Sequence, residues 1–339
     1  MNQIHDYKLI ASDPDAVAIL SKLLNNPDNF TSGSELSSIL GVSRPAVWGK
    51  LEKLRDQGFK VEALRNRGYR ILEKPLQHNA QLLEYETLAK GCAIPCLYFP
   101  EIDSTNSEAE RQISYGRKGP FAIVSSHQSK GRGRLGRDWF SASKENSYLS
   151  VAFEPNLPAK DLQAFTLWAG IYICRALQKL IPQASLQIKW PNDLFCQGRK
   201  FAGMLTEAKI DADCMRSLIF GIGININSNP QSYPDPLKKT ATSLQALSGT
   251  EYSLNTITAE LIHAIEHAYE YSILGNPGES LAKAWSPLSS LCGQSVNATS
   301  AQSSIRGTAC GIEESGALLI KDATGAIHSI HAGDVQLNK

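Results

Sequence analysis

Several things are scarce in this chain of 339 residues, and each scarcity excludes something. Its longest apolar run, FTLWAGIYIC (165–174), is about half of a bilayer span, so it predicts a buried helix. The opening stretch MNQIHDYKLIASDPD has neither the basic start nor the apolar core of a signal peptide. A cytoplasmic protein without membrane contact is therefore expected. The seven cysteines (92, 96, 174, 196, 214, 292 and 310) are odd in number, scattered and without a CxxC pair. That pattern fits reduced thiols better than disulfides or a zinc site, and no metal ligands are assigned. Charge of either sign is also not in excess, since 34 Lys and Arg against 33 Asp and Glu leave +1.

The balance hides a local excess. Between 42 and 74 nine basic residues (44, 50, 53, 55, 60, 65, 67, 70 and 74) stand against four acids, which predicts a polyanion nearby. The elements there form a recognisable series. In SDPDAVAILSKLLNNPDNF, Asp13 is placed to cap a helix, Pro14 suits its first turn, and Val17, Leu20 and Leu24 recur at helical spacing. A short helix follows with Leu36, Ile39 and Leu40 inward, then a turn at Gly41, then a helix capped by Ser43 with Val47, Leu51 and Leu54 on one face. FKVEALRNRGYRIL reads as a hairpin turning at Asn66-Arg67-Gly68. Helix-turn-helix plus basic hairpin is a winged helix, in which Ser43, Arg44, Ala46, Val47 and Lys50 would meet base edges and Arg65 and Arg67 would hold phosphate. The competing reading is a protein-binding module with a solvated basic face. Pro75 and the polar stretch after it place a domain boundary near 73–80.

Past the boundary the chemistry changes. CLYFPEIDSTNSEAERQI runs from a strand through Asp103-Ser104-Thr105-Asn106 into a helix; capping would explain Ser104 or Ser107, but not the whole polar set. Between two further strands lies SKGRGRLGRDWF (129–140). Gly131 and Gly136 have Walker-loop spacing, but Arg137-Asp138 replace Lys-Ser/Thr and no helix follows, so it is not a Walker loop. Lys130, Arg132, Arg134, Arg137 and Lys144 against Asp138 suit an anion, and the glycines let the backbone close over it. Such a loop is expected to gain order when it binds; a solvated or RNA-binding Gly-Arg segment is the alternative. KWPNDLFCQGRK brings Lys189 to a strand end, breaks the strand at Pro191 and turns through Gln197-Gly198. SLIFGIGININSN is a buried strand whose Gly221 and Gly223 allow close approach, with Asn225 and Asn227 beyond. His263 and His267 fall on a helix and, like His328 and His331 in the strand-rich end, read as non-ligands.

DSTN, HQSKGRGRLGRDWFS, KWPNDL and GIGININ, in that order behind a winged helix, resemble the bifunctional biotin protein ligases that also repress the biotin operon. The resemblance runs through nearly the whole chain. It implies an α+β protein in three parts: a winged helix-turn-helix over 1–75, a central mixed α/β ligase domain of the class II synthetase-like biotin/lipoate ligase type over 76–288, and a small C-terminal SH3-like β-barrel over 289–339. The activity implied uses biotin, ATP and Mg²⁺ to make biotinyl-5'-AMP, then acylates one lysine of the biotin carboxyl carrier protein of acetyl-CoA carboxylase. The adenylate-bound homodimer would bind biotin operator DNA; the alternative is a ligase whose N-terminal domain has no regulatory role. A lipoate-type ligase shares the architecture but not the GRGRxGR and KWPND pair.

By the same resemblance Lys189 and Arg134 are the catalytic residues, Lys189 bridging the biotin carboxylate and the α-phosphate. Ser104, Thr105, Asn106, Gln128, Arg132 and Gly133 join them at biotin, and Arg137, Trp139 and Asn225 lie on the nucleotide side. No carboxylate pair for Mg²⁺ and no general base for the acceptor lysine is identified. His127-Gln128-Ser129-Lys130 departs from the commoner family wording.

Overall fold

In the computed structural model, residues 7–338 are described except 142–143, 156, 159–161, 212–213, 276–277 and 300–303. Three capped helices open the fold: α1 (Pro14–Leu24), α2 (Gly33–Leu40) and α3 (Arg44–Asp56). Asp13 accepts from the Asp15 amide at 3.0 Å and Ser43 from the Ala46 amide at 3.4 Å, as their positions predict. Gly41 ends α2 in the left-handed region (φ 64°), which lets α3 cross it. Strands β1 (Lys60–Leu64) and β2 (Gly68–Glu73) pair antiparallel as the wing, and Thr31 bridges to Tyr69 on its free side. Leu20, Leu23, Leu36, Val47, Leu51 and Leu54 fill this module's core.

One correction concerns α2. Ile39 is 49% exposed, because Leu36 and Leu40, one turn apart, seat the helix and the intervening residue points away from α1 and α3.

Helix α4 (Ala80–Ala89) joins two cores: Leu82 packs with the winged helix and Leu83 with the centre of the molecule. The centre then runs β3 (Cys96–Phe99), α5 (Thr105–Ser114), β4 (Phe121–Ser125), β5 (Ser147–Phe153), β6 (Leu157–Pro158) and α6 (Leu162–Leu180). It continues through β7 (Leu186–Lys189), β8 (Asp193–Cys196), β9 (Arg199–Asp211) and β10 (Cys214–Ile224). The short helices α7 (Leu237–Thr240) and α8 (Leu244–Ser248) precede α9 (Leu254–Tyr269) and α10 (Leu281–Trp285). The strands form one mixed sheet in the order β3-β4-β5-β10-β9-β8-β7, with β6 also paired to β10. Among the described strands of this sheet only β3 and β4 pair in parallel, linked by α5 as a crossover.

Both faces of this sheet are covered. Phe165 and Trp168 of α6 and Leu261 and Ile265 of α9 pack on one side, and α5 covers Phe99, Phe121 and Ile123 on the other. That explains why β5 and β10 are buried almost throughout. The buried run 165–174 is helical, as its sequence predicts. No helix among the described residues is long and apolar enough to cross a membrane.

The C-terminal part is a five-stranded antiparallel sheet: β11 (Ser295–Thr299), β12 (Ser304–Ile312), β13 (Leu318–Lys321), β14 (Ile327–Ile330) and β15 (Asp334–Leu337). Its order is β14-β13-β12-β11-β15, with β14 and β15 at the two ends. Trp190 ties it to the centre, donating from Nε1 to Gly316 O at 2.9 Å.

Candidate active site

The parts that the sequence scatters over more than two hundred positions meet in one cleft of about 340 Å³. That volume lies in the range of small-ligand sites. Its walls are the start of α5, the Arg/Gly loop and the β7–β8 turn; Gly203, Gly221 and Gly223 form its floor, and Asp334–Gln336 reach it from β15.

The floor needs glycine for a steric reason. A Cβ at Gly221 would sit 2.1 Å from Asn106 Oδ1, and one at Gly223 would sit 2.6 Å from the Trp139 ring. Two of the predicted site residues therefore lie directly on the strand backbone. Trp139 also covers Gly203, with the Lys200 ammonium 5.0 Å from its ring centroid, and its Nε1 is a buried donor without a partner among the described residues.

At the other end Ser104, Thr105 and Asn106 are all buried. Ser104 occupies the N-cap position of α5, but its hydroxyl makes no capping bond; Asp103 Oδ1 takes the Ser104 amide instead, at 2.7 Å. Capping thus does not account for Ser104. Thr105 donates from N and Oγ1 to Gln128 Oε1 at 2.7 and 3.1 Å. Ser150 of β5 donates to Thr105 Oγ1 and Asn106 Oδ1, and the Asn106 amide donates to Glu207 Oε2 at 2.7 Å. Mutual hydrogen bonding fixes each rotamer, which is what a preorganised polar subsite requires.

The loop has its own anchors. Its stem is held by Lys130 N to Asp103 O at 2.8 Å, and Trp139 N to Gly131 O closes it at 2.9 Å. Arg132 pairs with Glu207 at 2.8 Å, and Arg137 pairs with Asp334 of the C-terminal sheet. Among the described residues, Arg134 and Lys189 are treated differently. Arg134 reaches only Asn192 Oδ1, at 3.3 Å, and burial pulls its guanidinium pKa below the ordinary value despite the carboxylates of Asp334 and Asp193. Lys189 lies 5.4 Å from the Phe195 ring centroid. A half-buried guanidinium without a carboxylate partner is costly in the folded chain, and an anionic ligand removes that cost.

Three sequence expectations need correction. Asn225 does not line the cleft: its amide donates to Thr242 O at 3.0 Å and holds the end of β10 to the segment before α8. Val47 is 0% exposed, because the helix face that carries Leu51 and Leu54 also carries it, so it cannot meet DNA. Lys50 bonds Asp13 at 3.2 Å and Asp15 at 2.9 Å, clamping the start of α1 to α3; these contacts raise its pKa and oppose the desolvation that lowers it. Ser43, Arg44, Ala46, Arg65 and Arg67 are exposed, with Arg67 stacked 4.6 Å from the centroid of Phe30.

Residues that sequence reasoning missed are Lys200 and Asp334 in the cleft, Ser150 and Glu207 behind its polar end, both bonded to Asn106, and Trp48, 55% exposed, on α3. Glu207 carried a signal, an acid within a strand; Asp334 carried none, since 197 positions separate it from Arg137. As for a metal, no three His, Cys, Asp or Glu side chains among the described residues converge on one position. Asp193 is engaged by Lys200 at 2.7 Å and Asp334 by Arg137, so the donor set does not fit a cation cage made by the protein.

A winged helix joined to a mixed-sheet domain whose cleft collects cations from separate segments defines a ligase with a DNA-binding type of module, and the comparisons agree. Residues 98–226 match the biotin/lipoate A/B protein ligase family, residues 17–70 an HTH domain, and residues 291–338 the biotin protein ligase C-terminal domain. The chain is 31% identical to the bifunctional ligase/repressor BirA of Bacillus subtilis (strain 168), over 91% of this chain and 94% of that one. With the Escherichia coli (strain K12) protein of the same name identity is 30%, over 94% and 96%. Among solved structures, the biotin protein ligase from Aquifex aeolicus in complex with biotin and ATP superposes with a TM-score of 0.60 at 28% identity, covering 72% of this chain and 99% of that one. The chain belongs to the family of bifunctional biotin protein ligases and repressors.

Proposed function

We propose that the cleft joins biotin to ATP as biotinyl-5'-AMP and passes the biotinyl group to a lysine of the biotin carboxyl carrier protein of acetyl-CoA carboxylase. The observation that carries this reading is the pairing pattern of the cations: Arg132 and Arg137 have carboxylates, whereas Arg134 and Lys189 face the cleft without one among the described residues. In the first step a biotin carboxylate oxygen attacks the α-phosphorus and the bond to pyrophosphate breaks. Negative charge grows on the phosphoryl oxygens, so cations already aimed there lower the barrier. Lys189 bridges carboxylate and α-phosphate in this reading, and Arg134 shares the charge. Ser104, Thr105, Asn106 and Gln128 take the polar ring of biotin, with Arg132 and Gly133 closing above it. Arg137 and Trp139 are assigned to the nucleotide, the indole lying under the base. Mg²⁺ would arrive with the phosphates of ATP and its own water, neutralising phosphate charge. In the second step the acceptor amine attacks the acyl carbon and AMP leaves. Because a mixed anhydride hydrolyses in water, the loop also protects it.

The regulatory half of the proposal is a homodimer, formed when the adenylate is bound, that places two winged helices on biotin operator DNA in the cytoplasm. Exposed Arg44, Arg65 and Arg67 favour it. Domain limits of 1–75, 76–288 and 289–339 belong to the same reading. A second reading, an N-terminal module that only supports the ligase, is favoured by Leu82 and Leu83 of α4 packing into both cores. Labelled biotin should pass to a carrier domain only with ATP present, and the protein should retard a biotin-operon promoter only when biotin and ATP are supplied. Transfer without retardation selects the second reading; absence of transfer rejects the proposed ligation by this cleft.

A further inference from the structure

The chain ahead of the winged helix is not spare. Residues 7–12 precede the cap of α1 and lie outside the segment 17–70 matched as an HTH domain. They run along the central sheet: Ile10 pairs antiparallel with Tyr98 of the edge strand β3, its amide 2.9 Å from Tyr98 O. Tyr7 packs into the apolar cluster under α5 that contains Phe99, Ile102 and Phe121. Its ring lies 5.8 Å from the Arg111 guanidinium, and burial and the nearby Asp103 carboxylate raise its pKa.

Those partners matter because Asp103 is a junction. Its carboxylate takes both Arg111 Nη atoms, at 2.9 and 2.8 Å, and the Ser104 amide. Its carbonyl takes the Lys130 amide, while Ile102 O takes that of Ser129. One short segment therefore joins the first residue of the polar subsite to the stem of the Arg/Gly loop. Tyr7 meets this junction from outside, through Arg111, which holds the Asp103 carboxylate, and through the cluster that contains Ile102.

We propose that the strap Tyr7–Ser12 sets the loop stem, with Tyr7 as a positioning residue for biotin rather than a group that touches it. The consequence for biotin rests on the assignment of the Ser104–Asn106 end of the cleft to biotin; the consequence for the loop does not. Removing the ring loosens the Asp103–Arg111 pair and the Ser129–Lys130 stem, so the loop samples open positions more often. The nucleotide end depends less on the strap: Arg137 and Trp139 share the loop, but Trp139 is also seated on Gly203 and Gly223 of the β9–β10 floor and Arg137 is paired with Asp334.

Two variants of the full chain test this, Tyr7→Ala and Tyr7→Phe. Tyr7→Ala should raise KM for biotin about fivefold, the size of one lost cation–aromatic contact, with a smaller rise in KM for ATP. Tyr7→Phe keeps the ring and should fall between it and the parent. Trypsin supplies a readout without catalysis: cleavage after Arg132, Arg134 or Arg137 should be about fivefold faster in Tyr7→Ala at equal thermal stability. Unchanged loop cleavage overturns the proposal. Faster cleavage with an unchanged KM for biotin keeps the strap and instead refutes the biotin assignment of that end of the cleft.

Discussion

Arg134 and Lys189 stand apart because, among the described residues, neither has a carboxylate partner. A surface arginine finds water, but Arg134 is half-buried, held by one amide oxygen, and has its charge disfavoured by burial. Its neighbours Arg132 and Arg137 have carboxylates at hand, so shortage of acids in the region is not the cause. Lys189→Ala and Arg134→Ala are each expected to lower the rate of biotin-dependent pyrophosphate exchange about a hundredfold or more, the size of losing one preorganised charge-stabilising group. Lys189→Arg should recover little, because a planar fork cannot replace a point charge between two oxygen groups. Either alanine variant with near-parental exchange would remove that residue from the mechanism.

At the level of elements, β10 works as a template. Gly221 and Gly223 occupy alternate positions on one face, and the absent side chains are replaced by Asn106 and Trp139. Gly221→Ala meets the far end of the Asn106 side chain, which can swing, rather than backbone. The sheet should therefore survive while Asn106 loses Ser150 and Glu207. Biotin affinity is expected to fall about tenfold or more, through the displaced buried bond to Ser150 and part-buried bond to Glu207, with little change in melting temperature. A loss of both affinity and fold would mean that β10 itself cannot accommodate the methyl. The winged helix obeys a similar logic: α3 has one face committed to Val47, Leu51 and Leu54, and Lys50 is spent on α1, so the exposed remainder, Arg44, Ala46 and Trp48, is the face left for a partner.

For the molecule as a whole, the modules are held together by buried polar contacts as well as apolar packing. His78, in the segment between β2 and α4, is flanked by Ser126 and Thr258 hydroxyls at 3.0 Å from each ring nitrogen. Thr258 in turn meets Ser147, and Ser126 meets Tyr98. Burial lowers the His78 pKa to about 3, so the folded chain holds it neutral. The unfolded chain protonates near the ordinary value, about 6.5. Below that pH the unfolded state gains a proton that the native state refuses, so stability present above about 6.5 is lost as pH falls toward 3. This one group contributes roughly 1.4 kcal/mol per pH unit in that window. Melting curves between pH 7 and 5 should show a shallower fall for His78→Gln than for the parent, measured relative to each protein's value at pH 7. Equal slopes would show that His78 is not the group responsible.

Helix caps at Asp13 and Ser43, the hairpin at Asn66–Gly68, the buried helix around 165–174 and the polar and cationic motifs were legible in the sequence, because caps, turns and periodicity act over a few residues. Orientation was legible in part: periodicity already put Val47 on the apolar face with Leu51 and Leu54, but that Lys50 turns to Asp13 and Asp15 of α1 only packing decides. Likewise Asn225 reads as a ligand group until the segment at Thr242 claims its amide. The chain's own order specified which chemical groups are present, since local rules need only neighbours. Which cations stay unpaired, and that Asp334 reaches Arg137 across the cleft, depended on elements far apart in sequence coming within a few ångströms, which only the assembled sheets could decide.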